Sequence, residues 1–186
     1  MYRQCTSEKA AAQQRQFEAA LQEMLKERLF EEISISELCR YTGLSRKTFY
    51  RLYDAKADVV YAMIDHAILE GESFVPDESV GPGGMHKFLG FWKSKRELLD
   101  VMKKNRISAL LSQQAVIHIM NEAPEILRCF GADSDHGRAK MIFYVSGIFS
   151  LVLTWHDRDF AESIDEMAAM LMQLMTTVPV KEPLPM

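Results

Sequence analysis

Residues 45–51, Ser-Arg-Lys-Thr-Phe-Tyr-Arg, gather three cationic side chains, two aliphatic hydroxyls and a phenol, with no carboxylate among them. Wound as a helix, Arg46, Lys47, Tyr50 and Arg51 fall at i, i+1, i+4 and i+5 and share one side, while Phe49, Leu52 and Tyr53 share the other. The apolar side can be anchored in a core, which leaves the basic side free to meet an anion. Arg46 and Lys47 can donate to O6 and N7 of guanine, and Thr48 can offer its hydroxyl or its methyl to a thymine. Tyr50, Arg51 and Lys56 suit phosphate oxygens, as do Ser34 and Ser45, where amides at helix starts add partial positive charge. A basic trio by itself more often makes a solvated helix face, so the reading depends on what holds this helix.

The charge is local. The chain carries 22 Lys and Arg against 26 Asp and Glu, a net charge of −4. Residues 1–60 hold ten cations against nine carboxylates, and residues 61–186 hold twelve against seventeen. One end can meet a polyanion, and the other would not.

Helical periodicity dominates the chain, and no convincing period-2 strand interrupts it. Phe17, Leu21, Met24 and Leu25 form one face of a first helix expected to end near Leu29 and Phe30. Ser34 with Glu37 three residues later is a capping-box pattern that starts a second helix, and Gly43 stops it within two turns. Ser45 caps a third helix, and a fourth runs from Lys56 to about Glu70. A helix, a tight glycine turn and a second helix with one anchored face make a helix-turn-helix. Its packing residues are Leu38, Cys39, Gly43, Leu44, Phe49 and Tyr53. Residues 71–84 contain four Gly and two Pro and read as an irregular connection. They divide a DNA-binding domain over 1–70 from a helical ligand-binding and dimerisation domain over 85–178. The second domain is expected to hold helices at 85–104, with a break possible at Gly90 or Ser94, and at 107–122, 136–158 and 164–177. A short turn is expected through Pro124, and the proline-rich tail after 178 should be non-helical.

Residues 33–60, ISISELCRYTGLSRKTFYRLYDAKADVV, resemble the DNA-binding signature of the TetR/AcrR family of bacterial transcriptional regulators. The matching positions are Ile33, Ser34, Ile35, Leu38, Gly43, Leu44, Ser45, Thr48, Tyr50, Tyr53, Lys56 and Val59. Cys39 and Thr42 stand where that family usually has alanine, and Leu29 where many members have glycine. The signature fixes spacing over 28 of the 186 residues and agrees with the helices read from periodicity. The resemblance implies an all-α, TetR-like architecture, an N-terminal three-helix module joined to a C-terminal helical domain. It also implies a homodimer acting on a double-stranded DNA operator, more often as repressor than as activator.

By the same resemblance the last two helices of each chain form a four-helix bundle with those of a partner. The residues support this: Met141–Trp155 is apolar nearly all round, more than one small domain readily covers. Ile148, Leu151, Val152, Trp155, Met167, Leu171 and Leu174 are the expected interface. Gly147 either permits close approach there or is a tolerated helix glycine. The family analogy further suggests a small-molecule effector pocket among the middle helices, with Phe88, Phe91, Trp92, Met102, Leu110, Leu111, Met120, Phe143 and Tyr144 as candidate lining or, equally, plain core.

Other functions find little footing. Cys5, Cys39 and Cys129 have no C-x-x-C spacing, so neither a disulfide framework nor a thiolate zinc site is suggested, and a cytoplasmic location is expected. The histidines at 66, 86, 118, 136 and 156 show no metal-ligand spacing, and no cofactor is expected. Catalytic signatures such as G-x-S-x-G or a P-loop are absent from the sequence. The apolar run 141–155 is shorter than the ~20 residues of a span, so no membrane is expected. The rival reading is a helical coactivator that keeps the fold but binds another protein; it would have little reason to keep Arg46, Lys47, Tyr50 and Lys56 together.

Overall fold

The computed structural model describes residues 2, 7–73, 82–123 and 134–177. Among them are nine α-helices, one 3-10 turn and no strand. The helices are α1 (Glu8–Glu27), α2 (Ile35–Thr42), α3 (Arg46–Leu52), α4 (Lys56–Ser73), α5 (Pro82–Ser94), α6 (Arg96–Lys104), α7 (Ala109–Glu122), α8 (Asp135–Asp157) and α9 (Ile164–Thr177), with the 3-10 turn at Phe30–Glu32.

Local chemistry sets most of the boundaries. Ser7 caps α1 by accepting from the Ala10 amide, and Ser134 caps α8 by accepting from the Gly137 amide. At α9 the Ser163–Glu166 box is formed as expected, with the Glu166 carboxylate accepting from the Ser163 amide at 2.8 Å. The chain leaves α1 earlier than periodicity suggests. Arg28 is extended, and Phe30 enters the separate 3-10 turn. Gly90 stays inside α5, and the expected break comes at Ser94–Lys95, where the Ser94 hydroxyl donates to the Phe91 carbonyl and the helix restarts as α6. The turn expected at Pro124 and the tail after 178 lie outside the described residues.

One apolar cluster runs through the molecule. Phe17, Leu21, Leu25, Leu38, Phe49 and Tyr53 fill its N-terminal end, and Trp92, Leu99, Met102, Leu111, Val152 and Trp155 its other end. Helix α4 joins the two, packing on α1, on α7 and on α5. At its C-terminal end Gly71 lies so close to α5 that a Cβ there would sit 2.9 Å from the Phe91 ring, which is why no larger residue fits. α7 packs along α8, and α9 packs back onto α5. Between α8 and α9 the chain turns through Asp159 and Phe160, both left-handed at φ 58° and 54°. Phe160 is held there by its ring, edge-on to Trp155 at 4.8 Å, with the Arg96 guanidinium over it.

Helix α8 is longer than its apolar run suggests. By length and composition it is the one helix among the described residues able to cross a membrane, at a mean hydropathy of 1.2 over its best window. Met141, Val145, Phe149, Val152 and Trp155 nevertheless point into the protein's own core.

Candidate nucleic-acid interface

α3 is a helix of seven residues, too short to persist alone, and its position is fixed from below. Phe49 is fully buried and meets Phe17 edge-on at 5.4 Å, while Tyr53, also fully buried, lies 5.4 Å from Phe49 and donates to the Gln14 carbonyl at 3.3 Å. Leu38 and Cys39 of α2 close the other side, and burial raises the Cys39 thiol pKa, so it packs as a small apolar group. Leu44 is half-buried against the same cluster.

Between the two helices Gly43 adopts φ 68° and ψ 10°, the left-handed cap the turn requires, and its amide reaches the Arg40 carbonyl. The turn is secured by its neighbours. The Thr42 hydroxyl donates into the last turn of α2 and accepts from the Leu44 amide at 3.3 Å, and Gln16 of α1 donates to the Thr42 carbonyl at 2.9 Å. At the start of α2 the box is reciprocal: Ser34 Oγ accepts from the Glu37 amide at 3.2 Å, and Glu37 accepts from the Ser34 amide at 2.9 Å. Those bonds, with Arg28 at 2.9 Å, hold the Glu37 carboxyl down at about 2. At the start of α3 the Ser45 hydroxyl accepts from the Thr48 amide and pairs with the Thr48 hydroxyl, both at 3.0 Å.

The outward side of α3 carries Arg46, Lys47 and Tyr50, all exposed, with no ion pair or hydrogen bond to Arg46 or Lys47 among the described residues. Arg51 is exposed and donates to Gln13 of α1 at 2.5 Å, which points its guanidinium along the same surface. Tyr50 keeps its ring edge-on to Phe49 at 5.4 Å and its hydroxyl toward solvent. These side chains therefore lie together on one exposed strip of α3, with Thr48 half-buried beside them and Ser34 and Ser45 exposed at two helix starts.

Lys56 does not join that strip. Its ammonium donates to the Phe30 and Ile33 carbonyls and lies 4.1 Å from the Phe30 ring centroid. Burial lowers its pKa. The start of α4 is also occupied, because the Asp58 carboxylate accepts from the Asp54 and Ala55 amides at 3.0 and 2.9 Å. The phosphate role expected of Lys56 finds no support in this placement: its charge already satisfies two carbonyls, and a carboxylate sits at the helix start beside it. Two residues that periodicity passed over stand on the exposed side of α2, Arg40 and Tyr41. Leu38 and Cys39 define the inner face of α2, and the outward position of both could have been read from that spacing.

The other expected groups are redistributed. Phe91, Trp92, Met102 and Leu111 are buried core, Phe88, Leu110 and Tyr144 are half-buried, and Met120 and Phe143 are exposed. Phe149 meets Phe88 and Trp92 edge-on at 5.6 and 5.2 Å, and Phe88 and Trp92 are tilted at 60° to each other. A cavity of about 320 Å³ lies instead between α1, α4 and α7, lined by Tyr2, Gln14, Asp65, His66, His118 and Glu122 among others. Of the expected dimer residues, Val152, Trp155, Met167 and Leu171 are covered by their own chain, so they are core. Leu174 is exposed, and Ile148 and Leu151 are half-buried.

No sequence-family model matches the chain, and no curated protein matches it in sequence. A solved structure does match in fold: the TetR family repressor AlkX from Dietzia sp. strain DQ12-45-1b, implicated in biodegradation of n-alkanes. It aligns at a TM-score of 0.54 over 87% of this chain and 92% of its own, at 17% identity. With nine helices among the described residues in this arrangement and that likeness across 87% of the chain, the chain has the fold of a TetR-type repressor.

Proposed function

We infer that the protein is a sequence-specific DNA-binding transcriptional regulator, acting as a homodimeric repressor in the cytoplasm. The observation that carries this is α3. Its inner face is locked by Phe49, Leu52 and Tyr53, and its outer face presents Arg46, Lys47 and Tyr50 uncommitted. A helix held this way can enter a major groove with its first turn against base edges, Arg46 and Lys47 reading guanine and Thr48 thymine. Tyr50, Arg51, Ser45 and Ser34, with Arg40 and Tyr41 added, flank it for phosphates. The division is residues 1–70 for DNA and 85–178 for pairing and effector response.

Of the expected pairing residues, Leu174, Ile148 and Leu151 keep accessible surface, and the exposed side of α8 adds others. Phe143, Gly147, Ser150 and Thr154 recur at i, i+4, i+7 and i+11 along the exposed side of α8. The Ser150 and Thr154 hydroxyls donate back to the Ser146 and Ser150 carbonyls, which leaves a flat face of small residues headed by a phenyl ring. A Cβ on Gly147 would meet nothing within 4 Å of its own chain, so space there is free for a second copy. Met170 and Leu174 are the exposed apolar residues of α9. Two-fold pairing would set two copies of α3 about 34–36 Å apart and require a near-palindromic operator.

Selection of bound duplexes from a random pool by the purified protein at ~150 mM salt tests this reading, with Arg46→Ala and Tyr50→Ala as controls. The expected result is a palindrome with half-sites one helical turn apart. Arg46→Ala should relax one position by ~1–3 kcal/mol, and Tyr50→Ala should weaken all sequences alike. A folded dimer that enriches no sequence would favour the protein-binding coactivator.

A further inference from the structure

We propose that the cavity between α1, α4 and α7 binds a small organic cation, whose N–H donor pairs with Asp65 and whose apolar body lies against Leu69 and Ile117. The volume, about 320 Å³, falls within the ~300–1,000 Å³ of small-molecule sites.

The polar wall is incomplete as it stands. Asp65 Oδ2 accepts from the Tyr2 hydroxyl at 2.9 Å, but Oδ1 is buried with no hydrogen-bond partner among the described residues. A buried acceptor left unpaired is unfavourable, and a ligand donor is the partner it lacks. Carboxylates and imidazoles meet around it, His118 among them. Glu122 also lines the cavity, and the nearby His66 imidazole is already taken by Glu18, which is buried and lies 2.9 Å from it through both oxygens. Burial raises the Asp65 carboxyl above its usual range, against the opposing pull of the Tyr2 hydrogen bond and of His118 and His66. A positive charge beside Oδ1 would favour the ionised carboxylate.

Chemistry narrows the class. No three His, Cys, Asp or Glu side chains among the described residues are grouped to hold a metal ion, so a bare cation lacks its ligand set. Leu69 and Ile117 are both about two-fifths exposed at the mouth, which suits an amine carrying a ring or alkyl chain. Any effect of the ligand on DNA rests on the regulatory reading above, because α1 and α4 position the DNA-facing strip.

The test is calorimetric titration of the full-length protein, without DNA, by tryptamine and by its uncharged counterpart tryptophol, with benzylamine and ethanolamine as smaller ammonium probes. Saturable binding of one tryptamine per chain is expected, with tryptophol at least tenfold weaker and Asp65→Asn at least tenfold weaker for tryptamine. The Asn variant keeps an acceptor for Tyr2 and removes a buried charge, so its Tm at pH 7 should equal or exceed that of the unaltered protein. If it does not fold, Glu122→Gln serves in its place and should also weaken tryptamine binding. Equal affinity for tryptamine and tryptophol, undiminished binding by the variant, or no saturable binding of any ammonium probe would overturn the proposal and leave the cavity to water. Since no DNA is present, a failure here leaves the regulatory reading intact, and a failed duplex selection leaves this site intact.

Discussion

At the scale of single residues, the cations on the exposed strip of α3 and the lysine at the start of α4 are chemically alike and structurally opposite. Arg46 and Lys47 are exposed and uncommitted, whereas Lys56 spends its charge on two carbonyls. Replacing Lys56 by methionine should therefore lower stability by about 1–3 kcal/mol in urea unfolding, because two part-buried acceptors lose their donor. It should leave the salt dependence of DNA affinity nearly unchanged, whereas Arg51→Ala should flatten it. Glu37 gives a pH signature. Its carboxyl is held at about 2 against an ordinary 4.5, so its contribution is fully present above the ordinary value and is lost as pH falls between the two. Acid unfolding of Glu37→Gln should show a shallower decline across that window than the unaltered protein. Sequence spacing gives the orientation of Arg46, Lys47 and Tyr50 correctly, because the period of a helix decides it. It does not reveal the Lys56 contacts, because they depend on where the 3-10 turn at Phe30–Glu32 comes to rest against α4.

At the scale of elements, the glycine turn between α2 and α3 is the feature with the least tolerance. A methyl on Gly43 would meet no neighbour within 4 Å, so any cost of Gly43→Ala is a backbone cost. At φ 68° that cost is expected to be about 1–2 kcal/mol, with Gly43→Asn milder because asparagine enters the left-handed region more readily. Thermal unfolding of the two variants side by side checks the order. Caps and turns were legible in the sequence here, since Ser34, Glu37, Ser45 and Ser163 act on amides only three residues away. The nine expected pocket residues were not resolved by the same means. Aromatic and apolar side chains at helical spacing look alike whether they line a void or pack into a core, as Phe88, Trp92 and Phe149 do against one another. The cavity that does form uses polar residues from α1, α4 and α7, which no local spacing brings together.

At the scale of the whole molecule, the two halves are tied by bonds that skip the connection between them. The Phe30 amide donates to Asn105 at 2.8 Å, Lys104 donates to the Lys26 carbonyl, and Lys26 pairs with Glu97 at 2.9 Å. The outer face of α8 is where the molecule should continue into a partner. Phe143, 65% exposed, is the test residue: Phe143→Asp should yield a folded monomer by sedimentation, at near-normal Tm once dilution of the dimer is allowed for. Val152→Ala, at a fully buried position, should instead destabilise by about 0.5–1.5 kcal/mol or more while leaving the association state alone.

The packing of α9 onto α5 also sets an order of events in time. The contacts among α1, α2, α3 and α4 close within the first 73 residues, so the helix-turn-helix end can assemble while the rest of the chain is still being synthesised. α5, by contrast, stays without its main cover until residues 164–177 arrive, some eighty positions later. The nascent chain thus completes its helix-turn-helix end before its C-terminal helices, and aggregation during synthesis should fall on the apolar side of α5 rather than on α3.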